Sequence, residues 1–135
     1  KRRSRDDRSS KTRILSSKAL FEYFYPLVCD SPVECCYVLL LNNMNRVIDH
    51  VQIGQGGLTA TVVDVRLVIR EALLKRATAV ALCHNHPSGS TKPSREDDRL
   101  TVNLAEACKV MNVRMLDHII IADTKYYSYN DEGRL

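Results

Sequence analysis

The sequence lacks the features that would place it in or across a membrane. No uninterrupted apolar run approaches the roughly 20 residues that a transmembrane helix needs, and the basic N-terminus is not followed by the apolar stretch of a secretion signal. It also lacks internal repeats and low-complexity core segments. These absences predict a soluble intracellular protein, with the cytoplasm as its compartment and no membrane partner.

The cysteines lack the pattern of a disulfide framework or of a cysteine-based zinc site. There are five, which is an odd number, and no two are spaced as Cys-x-x-Cys. Cys35 and Cys36 are adjacent in an apolar run, which is typical of reduced thiols in a protein core. Reduction in the cytosol is the simplest explanation.

Positive charge is scarce outside the N-terminus. Residues 1–13 contain seven Lys or Arg and two Asp, whereas the rest of the chain contains 13 basic and 14 acidic residues. A basic arm could contact nucleic acid, although a solvated linker is the favoured explanation and no basic stripe follows residue 13. We therefore predict a flexible basic tail over 1–15 and one domain over 16–135.

Hydrophobic periodicity predicts alternating helices and strands. The predicted helices cover 16–28, 64–76 and 94–111, and the predicted strands cover 34–41, 46–53, 58–63, 77–83, 115–122 and 126–129. The continuous small-apolar run at 77–83 is typical of a strand that is buried on both faces. Gly54, Gly56 and Gly57 are predicted to end the second strand. The pattern indicates an α/β sandwich built on a mixed sheet.

Two histidines follow the strand predicted at 77–83. Residues two apart on a strand point to one face, so His84 and His86 can reach a single metal ion. Seven residues later comes Ser94, the predicted N-cap of the next helix, and Asp97 lies in that helix's first turn. Two histidines and a carboxylate are a typical protein set for catalytic zinc, which keeps a further position for water. The spacing predicts a Zn²⁺ site held by His84, His86 and Asp97.

Two further residues are candidates for catalysis. Glu34 opens a strand whose following residues are all apolar, so a carboxylate there is conspicuous. A Glu beside a zinc-bound water could accept the proton of that water and pass it to a leaving amine. The hydroxyl of Ser94 could donate a hydrogen bond to a developing oxyanion.

These residues resemble a known pattern. A Glu on an early strand, then His-x-His, seven residues and Ser-x-x-Asp, is similar to the JAMM (MPN/JAB) metalloenzymes. The longer run His-Asn-His-Pro-Ser-Gly at 84–89, together with Leu-Asp-His-Ile-Ile at 116–120, resembles the bacterial RadC family over about 16–135. The resemblance implies a cytidine-deaminase-like, three-layer α/β/α sandwich with a mixed sheet.

The same resemblance implies an activity. It suggests a zinc metallopeptidase-like hydrolase that acts on a peptide or isopeptide bond, with His84, His86 and Asp97 as ligands, Glu34 as acid/base and Ser94 as oxyanion helper. The alternatives are a factor associated with DNA repair or recombination, which is the traditional label of RadC proteins, with a structural or nucleolytic zinc site, or an inactive scaffold. The chain departs from the family at 56–59 and 64–67, which affects the substrate groove rather than the metal set.

Two other histidines are not assigned to the metal. His118 lies in an apolar run, and we predict a hydrogen-bonded structural histidine there rather than a fourth ligand. His50 is predicted to be exposed.

Overall fold

A computed structural model describes residues 12–56 and 63–135. Within these ranges the chain forms three helices and five strands. In chain order they are α1 (Ser17–Val28), β1 (Cys35–Leu41), β2 (Val47–Gln55), α2 (Val65–Leu74), β3 (Ala79–Asn85), α3 (Arg95–Val110), β4 (Arg114–Ala122) and β5 (Lys125–Ser128). The strand predicted at 58–63 lies outside the described residues, apart from Val63, and so does the tail up to residue 11.

The strands form one mixed sheet in the order β2-β1-β3-β4-β5. β1 pairs antiparallel with β2 and with β3, and β4 pairs antiparallel with β5. β3 and β4 are parallel, and a parallel pair requires a crossover connection, which α3 supplies. Every residue of β3 is buried, as expected for a central strand covered on both faces.

Helices cover both faces of this sheet. On one face α1 packs through Phe24 against Leu39 and Ile119. On the other face α2 and α3 pack through Val68 and Leu104, together with alternate residues of β1 and β3. Alternation along each strand sends successive side chains to opposite faces, so one sheet fills two cores. The predicted α/β sandwich with a mixed sheet is confirmed.

Side-chain caps set the start of each helix. The Ser16 hydroxyl accepts from the amide of Ala19, and the carboxylate of Asp64 accepts from the amide of Arg66. Ser94 caps α3 in a reciprocal arrangement with Asp97. A capping side chain satisfies amides that have no partner inside the helix. The sequence predicted all three helix starts to within one residue.

The glycine cluster does not end β2 where the sequence predicted. β2 continues through Gly54 to Gln55, and the amide of Gly56 still donates to the carbonyl of Glu34 at 2.7 Å. An irregularity in the register between Cys36 and Tyr37 absorbs the extra residue. The prediction that Gly54 breaks the strand was therefore wrong, and β2 reaches the vicinity of Glu34.

The prediction for His50 was also wrong. His50 is half-buried on β2, and its Nδ1 lies 2.6 Å from the hydroxyl of Tyr23 on α1. The two rings meet edge to face. Tyr23 of α1 therefore covers His50 and gives it a hydrogen-bond partner. Strand alternation alone does not reveal this contact, because Tyr23 lies on another element.

The described cysteines are free thiols, and four of the five are buried. In the described ranges no helix combines the length and the apolar character needed to cross a membrane.

Candidate metal centre

The predicted ligands meet at the C-terminal end of β3. His84 is the penultimate residue of that strand, and the amide of His86 extends its pairing with β4 by donating to the carbonyl of Ile121 at 2.9 Å. His84 and His86 therefore project to the same face, toward the first turn of α3. That turn carries Asp97, which is 8% exposed.

Three ligand atoms converge there. Nε2 of His84 lies 2.8 Å from Oδ1 of Asp97, and Nε2 of His86 lies 3.2 Å from Oδ2. The two Nε2 atoms are 3.1 Å apart. Ligand atoms about 2.0–2.1 Å from a tetrahedral zinc are about 3.3 Å from one another. The three side chains are thus placed as a zinc site needs them, and two imidazoles with one carboxylate are a donor set that zinc accepts.

The electrostatics favour a charged carboxylate in this cluster. Burial opposes ionisation of Asp97, but hydrogen bonds with His84 and His86 outweigh it and hold the pKa of Asp97 well below its usual value. For His86, burial lowers the pKa. The hydrogen bonds of His86 with Asp97 and Ser90, together with the negative charges of Asp97 and Glu34, outweigh burial, so the pKa of His86 is raised. The carboxylate of Asp97 is therefore charged at neutral pH.

Glu34 joins this cluster from the position just before the neighbouring strand β1. Cys36 on β1 is the register partner of His84 on β3, so Glu34, two residues earlier, lies beside the end of β3. A carboxylate oxygen of Glu34 lies within 4.8 Å of ligand nitrogens of both His84 and His86. Asp97 is in direct contact with both histidines through its two carboxylate oxygens. The cluster therefore offers two carboxylates beside the two imidazoles.

Asn85 holds the backbone around Glu34, and sequence reasoning missed it. Its side chain points away from the histidines, its Oδ1 accepts from the amide of Cys35 at 2.7 Å, and its Nδ2 donates to the carbonyl of Val33 at 3.0 Å. One buried amide thereby fixes the residues on both sides of Glu34. The only available sequence signal was an Asn in an otherwise apolar strand.

Ser94 has a capping role beside Asp97, the predicted ligand. Its Oγ accepts from the amide of Asp97 at 3.1 Å, while its own amide donates to Oδ2 of Asp97 at 2.8 Å. The second bond orients the ligand carboxylate. Because Oγ acts only as an acceptor in this cap, its hydroxyl proton can still be donated elsewhere. The assignment of Ser94 as oxyanion helper stays a prediction.

His118 lies behind His84 rather than at the metal position. Its Nε2 is 2.8 Å from Nδ1 of His84, on the side of that ring opposite the ligand nitrogen. Its Nδ1 is 2.6 Å from the hydroxyl of Thr101. Complete burial, followed by the charge of His84, lowers the pKa of His118 well below its usual value. The prediction of a hydrogen-bonded structural histidine is confirmed.

Comparison with known proteins agrees with this geometry. The sequence model of the RadC-like JAB domain matches residues 14–134, which is nearly the whole chain. The chain belongs to the RadC-like JAB domain family. The family resemblance of the sequence is thereby confirmed, and a JAB domain is compatible with a metallohydrolase.

Relatives of this RadC domain occur in several bacteria. A UPF0758 protein of Flavobacterium johnsoniae is 46% identical over 121 residues, which are 90% of the chain and 53% of the relative. A UPF0758 protein of Pelobacter propionicus is 42% identical over 123 residues, which are 91% of the chain and 54% of the relative. The chain thus spans about half the length of the curated relatives it matches, and their printed names state no activity.

A cleft leads away from the metal centre of the RadC domain. A narrow gap at the centre is lined by Glu34, Cys36, Val63, His84, Glu96, Asp97 and Leu100. It shares Val63, Glu96, Asp97 and Leu100 with a cleft of about 270 Å³ that is also lined by Arg99 and Asn103. The cleft therefore adjoins the cluster along the first turns of α3.

Replacing Asn85 by Ala is expected to destabilise the RadC domain by about 1–3 kcal/mol. The change leaves the buried amide of Cys35 without its acceptor, which costs about that much, whereas the carbonyl of Val33 keeps the hydroxyl of Ser31 as a donor. Urea unfolding of both proteins measures the difference. Asn103→Ala, at an exposed Asn of α3, is the matched control and should stay within about 0.5 kcal/mol of wild type. Equal losses in the two variants would refute the role given to Asn85.

Proposed function

We propose that this RadC domain is a zinc-dependent hydrolase of the metallopeptidase or isopeptidase type. One observation carries the proposal: Nε2 of His84, Nε2 of His86 and the carboxylate of Asp97 lie 2.8–3.2 Å from one another. A second carboxylate, that of Glu34, has an oxygen within 4.8 Å of ligand nitrogens of both histidines. Three protein ligands beside a general base are the arrangement of hydrolytic zinc centres.

Each residue has a definite task in this mechanism. A zinc ion held by His84, His86 and Asp97 would supply Lewis acidity and a more acidic water. Glu34 would accept a proton from that water and deliver it to the leaving amine. The Ser94 hydroxyl would donate to the carbonyl oxygen as negative charge develops on it. Asn85 would hold Glu34 at its working distance through the backbone contacts described above.

The surroundings of the centre suit an extended peptide. Among the strands that the structure describes, β2 is at the edge of the sheet, and its last residue, Gln55, pairs with Cys35 beside Glu34. An edge strand can bind an extended chain through backbone hydrogen bonds, and the neighbouring cleft can accept side chains. We therefore propose a peptide or an isopeptide-linked chain as substrate, bound along β2 and presented to Glu34.

A DNA-associated role is the second candidate, and the basic residues at 1–13 are the observation that favours it. The remainder of the chain has one more acidic than basic residue. Since phosphate binding depends on clustered Lys and Arg, any DNA affinity should reside in the N-terminal segment. Salt-sensitive DNA binding that survives removal of residues 1–13 would contradict this placement of the affinity, and it would favour a DNA-associated role of the domain itself over the peptidase.

The test of the proposal is a substrate panel for the zinc-loaded protein. Linear peptides, lysine-linked isopeptides, and single- and double-stranded DNA are incubated with the protein, and mass spectrometry identifies the products. We expect cleavage of an amide bond and none of DNA. Phosphodiester cleavage without amide cleavage would support the second candidate. Zinc-loaded protein that cleaves none of the panel would support an inactive scaffold.

A further inference from the structure

A chain of three buried hydrogen bonds runs from His84 to α3. It begins at Nδ1 of His84, which lies 2.8 Å from Nε2 of His118. Nδ1 of His118 then lies 2.6 Å from Oγ1 of Thr101, and that hydroxyl lies 2.8 Å from the carbonyl oxygen of Asp97. The three side chains in this chain are at most 3% exposed.

The direction of this chain follows from its two ends. The carbonyl of Asp97 has no proton, so the hydroxyl of Thr101 donates to it, as a Thr in a helix commonly does to the residue four positions earlier. A hydroxyl has a single proton, so Oγ1 of Thr101 accepts from Nδ1 of His118. A neutral His118 with its proton on Nδ1 has a lone pair on Nε2, and that lone pair accepts from Nδ1 of His84.

This direction leaves His84 in the form that zinc requires. A neutral imidazole has one proton, so a proton on Nδ1 leaves the lone pair of Nε2 available to a metal. The competing form has its proton on Nε2, where Oδ1 of Asp97 lies 2.8 Å away and would accept it. The carboxylate favours this blocked form. An acceptor at Nδ1 of His84 is what opposes it.

We propose that His118 is a positioning residue that keeps the proton of His84 on Nδ1, and that Thr101 does the same for His118. This inference rests on the metal-binding part of the proposed function. At the other ligand, Nδ1 of His86 donates directly to the carbonyl of Ser90 at 2.8 Å, and a carbonyl can only accept. Keeping the proton of His84 on Nδ1 needs two residues. Nε2 of His118 can accept that hydrogen bond only while Thr101 accepts the proton on Nδ1 of His118.

The ring of His118 is also held in place. Tyr129 stacks on it with ring centroids 4.9 Å apart and an angle of 13° between the ring planes. The hydroxyl of Tyr129 donates to Asp98 at 2.7 Å, and Arg134 also binds Asp98 at 2.8 Å. The C-terminal segment thereby ties the ring plane of His118 to the first turn of α3, the turn that carries Asp97.

Zinc affinity of paired variants tests the proposal. His118→Leu removes the acceptor, and loss of such an outer partner lowers metal affinity by about 10–100-fold. His118→Gln brings an amide oxygen near the former Nε2 and should recover most of that loss. Thr101→Val, which keeps the shape of Thr101, should cause a smaller, several-fold loss. Competition with a chromogenic chelator gives the affinities, and circular dichroism checks that each variant is folded.

A measurement on the wild-type protein keeps the test independent of folding. Long-range ¹H–¹⁵N spectra show which ring nitrogen carries the proton. For His118 we expect a protonated Nδ1 and an unprotonated Nε2, both without zinc and with it. For zinc-loaded His84 we expect a protonated Nδ1. A proton on Nε2 of His118 would overturn the inference.

Two outcomes separate this inference from the proposed function. Suppose first that the wild-type protein binds zinc. The role of His118 alone would then be overturned if His118→Leu bound zinc equally well, or if His118→Gln bound it no better than His118→Leu. Wild-type protein that binds no zinc would overturn the proposed function, while the spectra of the metal-free protein would still report the direction of the hydrogen-bond chain.

Discussion

Glu34→Gln is expected to lower kcat for amide hydrolysis by about 10²–10⁴-fold, the usual contribution of a general acid–base residue. Gln has the same shape as Glu but cannot accept a proton from water. Hydrogen bonds of Gly56 and Asn85 hold the backbone at and beside this position, and the substitution leaves these bonds in place, so the variant should fold. It should also keep its zinc, because the three ligands are unchanged. The measurement is steady-state kinetics on the substrate found with the panel.

Glu106→Gln is the matched control for this experiment. Glu106 is an exposed residue of α3, nine positions beyond Asp97, and the same chemical change there should leave kcat within about twofold of wild type, as a surface substitution does. If Glu34→Gln retained full turnover with zinc bound, Glu34 would not be the general base.

Zinc is expected to raise the melting temperature of the wild-type domain by about 12–20 °C. Ligand present at about 1,000 times its Kd stabilises the folded state by about 4 kcal/mol, and each kcal/mol shifts the melting temperature of a domain of this size by about 3–5 °C. The ligands lie on β3, just after it and on α3, so only the folded chain gathers them. Thermal unfolding monitored by circular dichroism, with and without zinc, measures the shift.

His86→Ala should abolish this shift, since it removes one of three ligands. His50→Ala is its control: His50 contacts Tyr23 on the other face of the sheet, so this variant can lower the melting temperature without changing the effect of zinc. A zinc shift of equal size in His86→Ala and in wild type would show that zinc binds elsewhere.

The parts of the fold that depend on nearby residues could be predicted from the sequence. Helix starts follow from short side chains such as Asp64 and Ser94, whose caps act within three residues. The proximity of His84, His86 and Asp97 follows from strand alternation and a loop of seven residues. In each case the interacting groups are close in sequence, so spacing alone constrains them.

The parts that depend on strand pairing could not be predicted from spacing. Asn85 binds Cys35 and Val33, which are 50 and 52 positions away in sequence. Only the register of β1 against β3 brings them together. The contact of His118 with His84 depends likewise on the parallel pairing of β3 with β4. The continuation of β2 through Gly54 depends on an irregularity in its pairing with β1.

The metal content of the chain tests the central assignment most directly. Wild-type protein and His86→Ala are reconstituted with zinc, freed of excess metal by gel filtration and measured by elemental analysis. We expect about one zinc per wild-type chain, as for a three-ligand catalytic site, and almost none in His86→Ala. A wild-type protein that retains no zinc after reconstitution would contradict the assignment of His84, His86 and Asp97 as a zinc site.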